Sequence, residues 1–239
     1  MGFLPPDLIN VHVLMLCTAK NGTFNCVKSP NPNRLQSKII NEMLIDSLLI
    51  VLAYLLGSVS GALIVMQLMG LPDPRSQGSG NPGATNMLRS SGKKAALITL
   101  CLDVFKGVIA VLVAKFLASG AVALAAVTLA VFLGHLYPIF FQFRGGKGVA
   151  TAFGALSVLA WPVSLTALAT WLLMAFLSRY SSLASLTAAL FTPAYMFWFT
   201  GVWEYTLMSL IMSGFLIWRH RSNIRSLLTG KENKIGQKA

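Results

Sequence analysis

From Met43 onward the chain is a succession of long apolar runs separated by short polar interruptions, and the runs show no polar face. Seven apolar segments can be read, at about 44–69, 95–118, 121–137, 149–161, 163–178, 183–200 and 203–218. A helix that crosses a bilayer needs roughly 20 apolar residues, and a helix that is apolar all round belongs in a core or in lipid. The pattern predicts an all-α polytopic integral membrane protein with about seven transmembrane helices. The runs at 121–137, 149–161 and 163–178 are short for full spans, so some helices should be tilted, broken or shielded by neighbours.

Composition agrees with the pattern: 55% of the 239 residues are hydrophobic and 11% are charged, whereas soluble domains carry about 25% charged residues. The net charge of +12 would suggest nucleic acid in a soluble chain. Here no basic domain stands clear of the apolar runs, so a nucleic-acid partner is not expected and the basic residues report topology. Arg75, Arg89, Lys93 and Lys94 lie in the first connection, Arg144 and Lys147 in the third and Arg179 in the fifth. Six more basic residues, from Arg219 to Lys238, lie in the tail, while the alternate connections hold almost none. The positive-inside rule then puts the tail and the odd connections in the cytoplasm and Met43 near the outer face. Residues 1–42 are polar and turn-rich, lack the basic start of a secretory signal, and would have to be translocated with Lys20, Lys28, Arg34 and Lys38. They are expected to be a disordered or untranslated extension, with translation beginning at Met43 and the membrane domain covering 43–239. Native protein starting at Met1, seen by mass spectrometry, would refute this.

The chemistry collects on the cytoplasmic side. "FRGGKGVATAFG" (143–154) resembles a phosphate loop, but Gly148 stands where such a loop needs a hydroxyl for magnesium. Gly145, Gly146 and Gly148 can present backbone N–H groups, Lys147 supplies charge, and Thr151 falls in the first turn of the next helix, itself an anion site. The first connection, "LPDPRSQGSGNPGATNMLRSSGKK", places Gly80 and Gly83 among Ser79, Asn81, Thr85 and Asn86, with the forked cation of Arg89 suited to an oxyanion. "RYSSL" adds Ser181 and Ser182, and the tail adds "RHRSNIRSLLTGKEN". Four loops rich in Gly, Ser, Asn and basic residues on one face, with almost no carboxylates, point to a shared phosphate site. Within the apolar runs, Asp103 and Lys106 sit one turn apart and can neutralise each other, or serve a function at the site; both readings stand. Ser58 and Ser60 suit close helix packing, Cys101 reads as a packing residue, and His135 reads as an interfacial cap or a ligand, with the structural reading preferred. Three cysteines form neither a disulfide framework nor a metal spacing, so no metal or cofactor is expected.

The stretches "GLPDPRSQGSGNPGATNMLR", "GHLYPIFFQFRGGKGVATAFGA" and "RHRSNIRSLLTGKE" closely resemble the three signatures of the bacterial acyl-phosphate:glycerol-3-phosphate acyltransferase (PlsY) family. The likeness runs from about Met43 to Glu232. It implies a seven-helix enzyme of the bacterial inner membrane, N-terminus outside, with its active site on the cytoplasmic face. It also implies acylation of glycerol 3-phosphate at sn-1 by a fatty acyl phosphate, giving lysophosphatidic acid and phosphate as the first step of phospholipid synthesis. The enzyme that supplies acyl phosphate is then a possible partner. Carried onto this chain, Ser79, Arg89, Lys147, His220 and Asn223 would be catalytic. Gly80, Asn81, Gly83, Thr85, Asn86, Gly145, Gly146, Gly148, Thr151 and Ser182 would bind substrate or phosphate. Glu232, with Asp103, Lys106 and His135, would be structural. The alternative is a transporter of a phosphorylated or anionic solute, which would place its site nearer the bilayer midplane and often show an inverted repeat.

Overall fold

The computed structural model describes residues 15–20, 23–28 and 32–237, with side chains from Asn33 onward. The chain divides into two compact units, Met1–Ile45 and Asp46–Ala239. In the first, strands β1 (Met15–Lys20) and β2 (Thr23–Lys28) pair antiparallel, in a register running from Met15↔Lys28 to Lys20↔Thr23. Helix α1 (Pro32–Gly57) opens on proline, whose fixed φ suits a first helical position. It therefore starts ahead of the boundary expected at Met43, because "NRLQSKIINE" continues the helix with good helix formers. The rest of the expected 1–42 extension, at 1–14, 21–22 and 29–31, lies outside the described residues.

The regular secondary structure of the second unit is helical among the described residues. After α1 come α2 (Gly61–Met69), α3 (Ala84–Ser90), α4 (Lys93–Leu117), α5 (Ala121–Leu136) and α6 (Val149–Leu159). They are followed by α7 (Trp161–Ser178), α8 (Ser181–Thr200), α9 (Trp203–Arg219) and α10 (Arg221–Leu228). Among the described residues, five helical stretches are long and apolar enough to cross a membrane: in α1, α4, Ala121–Phe141, α7 and α8. Of the three runs expected to be short, only 149–161 forms a short helix, α6 with 11 residues. The other two lie in Ala121–Phe141 and Trp161–Ser178, of 21 and 18 residues, while α9, not expected to be short, has 17. Large apolar side chains cover the outside: Phe116 is 79% exposed, Phe176 82% and Trp198 84%. In water such surfaces would associate; in lipid they are the favourable exterior. The second unit, among the described residues, is an all-α membrane domain, and the chain is an integral membrane protein. Cys101, expected to pack inside, is exposed on the outside of α4.

Two features position the site. The expected segment 44–69 is broken at Ser58–Ser60, where α1 gives way to α2. The carbonyl of Val59, freed by the break, accepts a 2.8 Å hydrogen bond from Lys106 Nζ, which answers the requirement that backbone groups in lipid be satisfied. Ser58 is wholly buried and its Oγ donates to Tyr54 O, in keeping with a packing role. Second, α4 and α6 touch backbone to backbone. A Cβ on Gly107 would lie 2.4 Å from Thr151 O, and one on Gly154 would lie 2.1 Å from Val104 O. Neither carbonyl can swing aside. Gly154→Val is therefore expected to force α6 off α4 at a cost of about 1–3 kcal/mol or more, read as a lowered unfolding temperature in detergent. Gly214, with open space around its Cβ position, is the control, and Gly214→Ala should leave that temperature unchanged or raise it. Equal behaviour of the two variants would refute the packing account.

Candidate active site

The connections after α2 and α5, the short link between α7 and α8, and the tail after α9 meet at one end of the bundle. They border a cavity of about 390 Å³. Its mouth carries Ser79, Asn81, Arg89, Lys147, Ser182, His220 and Asn223, and its walls continue into Leu100, Val104, Phe153, Leu156, Leu168 and Trp171. All five residues expected to be catalytic line this cavity, as do Asn81, Gly83, Thr85, Asn86, Gly148 and Ser182 from the expected binding set. Gly80 and Gly145 instead border a neighbouring groove, with Arg75, Arg144 and Arg219.

Hydrogen bonds tie the elements together. Lys147 Nζ donates to Asn223 Oδ1 at 2.5 Å. Glu232 Oε1 accepts from Asn223 Nδ2 at 2.8 Å and from Ser182 Oγ at 2.7 Å. Thr85 Oγ1 lies 3.3 Å from Ser181 Oγ, and Arg89 donates to the carbonyl of Asn233 at 2.8 Å. Glu232 was expected to be structural; it also lines the cavity and brings a carboxylate into the group around Lys147. Of the two neighbouring serines, Ser182 joins the Glu232 network and Ser181 faces Thr85.

Asn86 does a different job from substrate contact. It is 1% exposed; its Oδ1 accepts from Ser79 N at 2.9 Å, and its Nδ2 donates to Pro74 O at 2.8 Å and Gln77 O at 3.0 Å. Both amide protons are thus committed to folding the glycine-rich loop that presents Ser79 and Asn81. In that loop Arg75 is held by Asp73, with NH2 to Oδ2 at 2.6 Å, so its charge is locally balanced.

The Gly145–Gly148 loop also differs in detail from expectation. Gly146 N–H donates to His135 O at 3.1 Å, and the carbonyls of Gly145 and Gly146 accept from Arg219 at 2.5 and 3.1 Å. The Gly146 N–H and both carbonyls are thus engaged in shaping the loop. Lys147 and Gly148 face the cavity. Gly148 holds φ +82°, and a Cβ there would meet the Phe132 ring at 2.4 Å, so a side chain is excluded twice over. It caps α6, whose first N–H groups have no acceptor four residues back and whose Val149 and Ala150 line the cavity. Thr151, expected to bind phosphate, is fully buried and lies 3.0 Å from His135 Nδ1. Arg219, read from sequence only as a topology charge, is the clamp of the loop and stands 5.6 Å from the centre of the Tyr137 ring. Its position next to His220 was the available signal.

Charge states follow from burial. Lys147 is pushed down to about 8 by desolvation, against the pull of Glu232. His220 is 2% exposed, and burial, with the Lys147 charge beside it, pushes its imidazole down to about 4. Its Nδ1 lies 2.8 Å from Leu216 O. A carbonyl can only accept, so Nδ1 carries the proton and Nε2 keeps its lone pair. The site therefore combines a cation, a neutral imidazole with a free lone pair, and a helix N-terminus, above an apolar recess.

Comparison with known proteins matches these observations. The family model described as glycerol-3-phosphate acyltransferase matches residues 47–230. A glycerol-3-phosphate acyltransferase of Thioalkalivibrio sulfidiphilus is 58% identical over 197 residues, 82% of this chain and 97% of the relative. One from Methylococcus capsulatus is 53% identical over 196 residues, 82% of this chain and 99% of the relative. The crystal structure of PlsY, an integral membrane glycerol 3-phosphate acyltransferase, in its glycerol 3-phosphate form superposes with TM-score 0.76 at 40% identity, covering 80% of this chain and 96% of that one. The lysophosphatidic acid form gives TM-score 0.74.

Proposed function

The chain belongs to the glycerol-3-phosphate acyltransferase family, and from that premise we propose that it moves a fatty acyl group from an acyl phosphate to the sn-1 hydroxyl of glycerol 3-phosphate. The products are lysophosphatidic acid and inorganic phosphate. The observation that carries this reading is that one cavity is lined both by polar and cationic residues of the connections and by apolar residues of α4, α6, α7 and α8. The polar residues suit phosphate. The apolar ones suit a hydrocarbon tail, at about 0.8 kcal/mol per buried methylene.

An acyl phosphate is a mixed anhydride, so direct attack needs no protein nucleophile. The glycerol oxygen bonds to the acyl carbon, the bond from that carbon to the bridging phosphate oxygen breaks, and phosphate leaves with the electron pair. Lys147 and the first N–H groups of α6 stabilise the charge that develops. His220 Nε2 accepts the hydrogen bond of the attacking hydroxyl and orients it. At about 4 the imidazole is a weaker base than a phosphate monoester, whose second pKa is about 6, so the departing phosphate takes the proton in the end. α1 with α2, and α4 to α9 after them, make seven crossings of the bacterial inner membrane, with the N-terminus outside and the site on the cytoplasmic face.

Purified protein supplied with palmitoyl phosphate and glycerol 3-phosphate should release lysophosphatidic acid and phosphate in equal amounts, and palmitoyl-CoA should not replace the donor. Faster transfer from the thioester, or an acyl-enzyme trapped on Ser79 or Ser182, would sink the proposal. The pH profile of kcat/KM, which reports free-enzyme groups, should have two limbs. It rises with pH as His220 loses its proton near 4 and falls as Lys147 loses its charge near 8. In Lys147→Arg the alkaline limb should disappear, because guanidinium keeps its proton; an alkaline limb unmoved in that variant would assign it elsewhere.

A further inference from the structure

Beneath the phosphate loop lies a group of buried polar residues that this chemistry leaves unused. Asp103 is 2% exposed, Lys106 5%, His135 8% and Thr151 0%. Lys106 Nζ lies 2.9 Å from Asp103 Oδ1 and caps Val59 O at the α1–α2 break. If charge balance in the membrane were the whole purpose, this pair would be sufficient. It is not isolated, however. His135 Nδ1 is 3.6 Å from the same carboxylate oxygen and 3.0 Å from Thr151 Oγ1. Asp103 Oδ1 is fully buried and makes no well-aligned hydrogen bond, so it retains acceptor capacity beside the imidazole.

The other side of His135 is pressed against the loop. Its carbonyl accepts the Gly146 N–H at 3.1 Å. A Cβ on Gly145 would sit 2.1 Å from that carbonyl oxygen, and one on Gly146 would sit 2.2 Å from His135 Nε2. The two glycines are therefore fitted to the histidine, and the height of the loop follows the ring. A carboxylate and a hydroxyl at Nδ1 favour the tautomer with its proton there, and they fix the ring plane, as outer partners do for metal-binding histidines.

We propose that His135 is a positioning residue for acyl transfer. Held by Thr151 and Asp103, its ring and carbonyl set where the Gly145–Gly148 loop lies, and through that loop where Lys147 Nζ meets a phosphate. The role rests on the acyltransferase reading above; His135 and Asp103 also border the cavity, but the polar contacts of His135 run to Thr151, Asp103 and the loop.

The decisive probe is Thr151→Val, close to isosteric at a fully buried site, set against Thr151→Ser, which returns the hydroxyl. In Thr151→Val the KM for glycerol 3-phosphate or palmitoyl phosphate should rise about tenfold or more, the scale expected when a group is displaced by a fraction of an ångström to 1 Å. The unfolding temperature in detergent should stay near the parent's, and Thr151→Ser should bring KM back. Asp103→Asn/Lys106→Met removes both charges at similar volume but also the donor to Val59 O, so its unfolding temperature should fall while its KM rises in the same way. Parent-like KM in Thr151→Val, or a fall in kcat that tracks lost stability with KM fixed, would overturn the proposal. If the double variant does not fold, Thr151→Val decides alone. Calorimetric binding of glycerol 3-phosphate to each protein keeps the two readings apart. A parent that binds it but transfers nothing from palmitoyl phosphate refutes the donor, while the Val-to-Ser affinity ratio still judges His135.

Discussion

Alanine at Lys147 is expected to lower kcat/KM by about 10²–10³, the loss typical of removing one donor aimed at a developing oxyanion. The residue is the cation the cavity holds closest to its polar network. Its Nζ is fixed by Asn223 at 2.5 Å, and Asn223 is fixed in turn by Glu232. Deleting the ammonium leaves the Glu232 carboxylate facing two phosphate-bearing substrates, so KM should rise along with the loss in kcat. Asn223→Ala keeps the charge but frees it to move, and should cost less, about tenfold. Steady-state assays with both substrates varied would test the order of these effects. Near-normal turnover in Lys147→Ala would remove the electrostatic basis of the proposed reaction.

A comparable loss, about 10² or more in kcat/KM, is expected from Gly146→Ala. The added methyl would lie 2.2 Å from His135 Nε2, and the ring cannot retreat, because Thr151 and Asp103 hold its far side. The loop must move instead, and a displacement of about 1 Å at a reacting group costs on that scale. Folding should survive, since the collision is relieved at the mouth of the cavity and leaves the α4–α6 seam intact. Gly146→Ala that unfolds the protein, or that works like the parent, would show that the loop does not take its position from the histidine.

Much of this architecture was legible as a pattern. The apolar runs after Met43 marked the helices of the second unit within a few residues, and the clustering of Gly, Ser, Asn and basic residues in alternate connections marked the loops that now border one cavity. The break at Ser58–Ser60 was not foreseen, because an apolar run reads the same whether a helix continues or restarts. α3 was hidden inside a glycine-rich stretch whose helical register is pinned by the side chain of Asn86. Thr151 looked like a phosphate ligand because first-turn hydroxyls often are; which way it points depends on the α5 ring packed behind it. Gly145 and Gly146 looked like open backbone, yet the Gly146 N–H and both carbonyls are engaged by His135 and Arg219.

The sequence by itself determined that the chain lives in lipid, that its helices are separated by polar connections, and that Gly, Ser, Asn and basic residues cluster in alternate connections. Hydrophobic periodicity, length and charge placement are local quantities and can be read in order along the chain. Only the tertiary structure decided which polar groups remain free for a substrate. Whether a hydroxyl, an amide or an imidazole is available depends on what stands within 3 Å of it, and for Thr151, Asn86, Gly146 and His135 that neighbour comes from elsewhere in the chain.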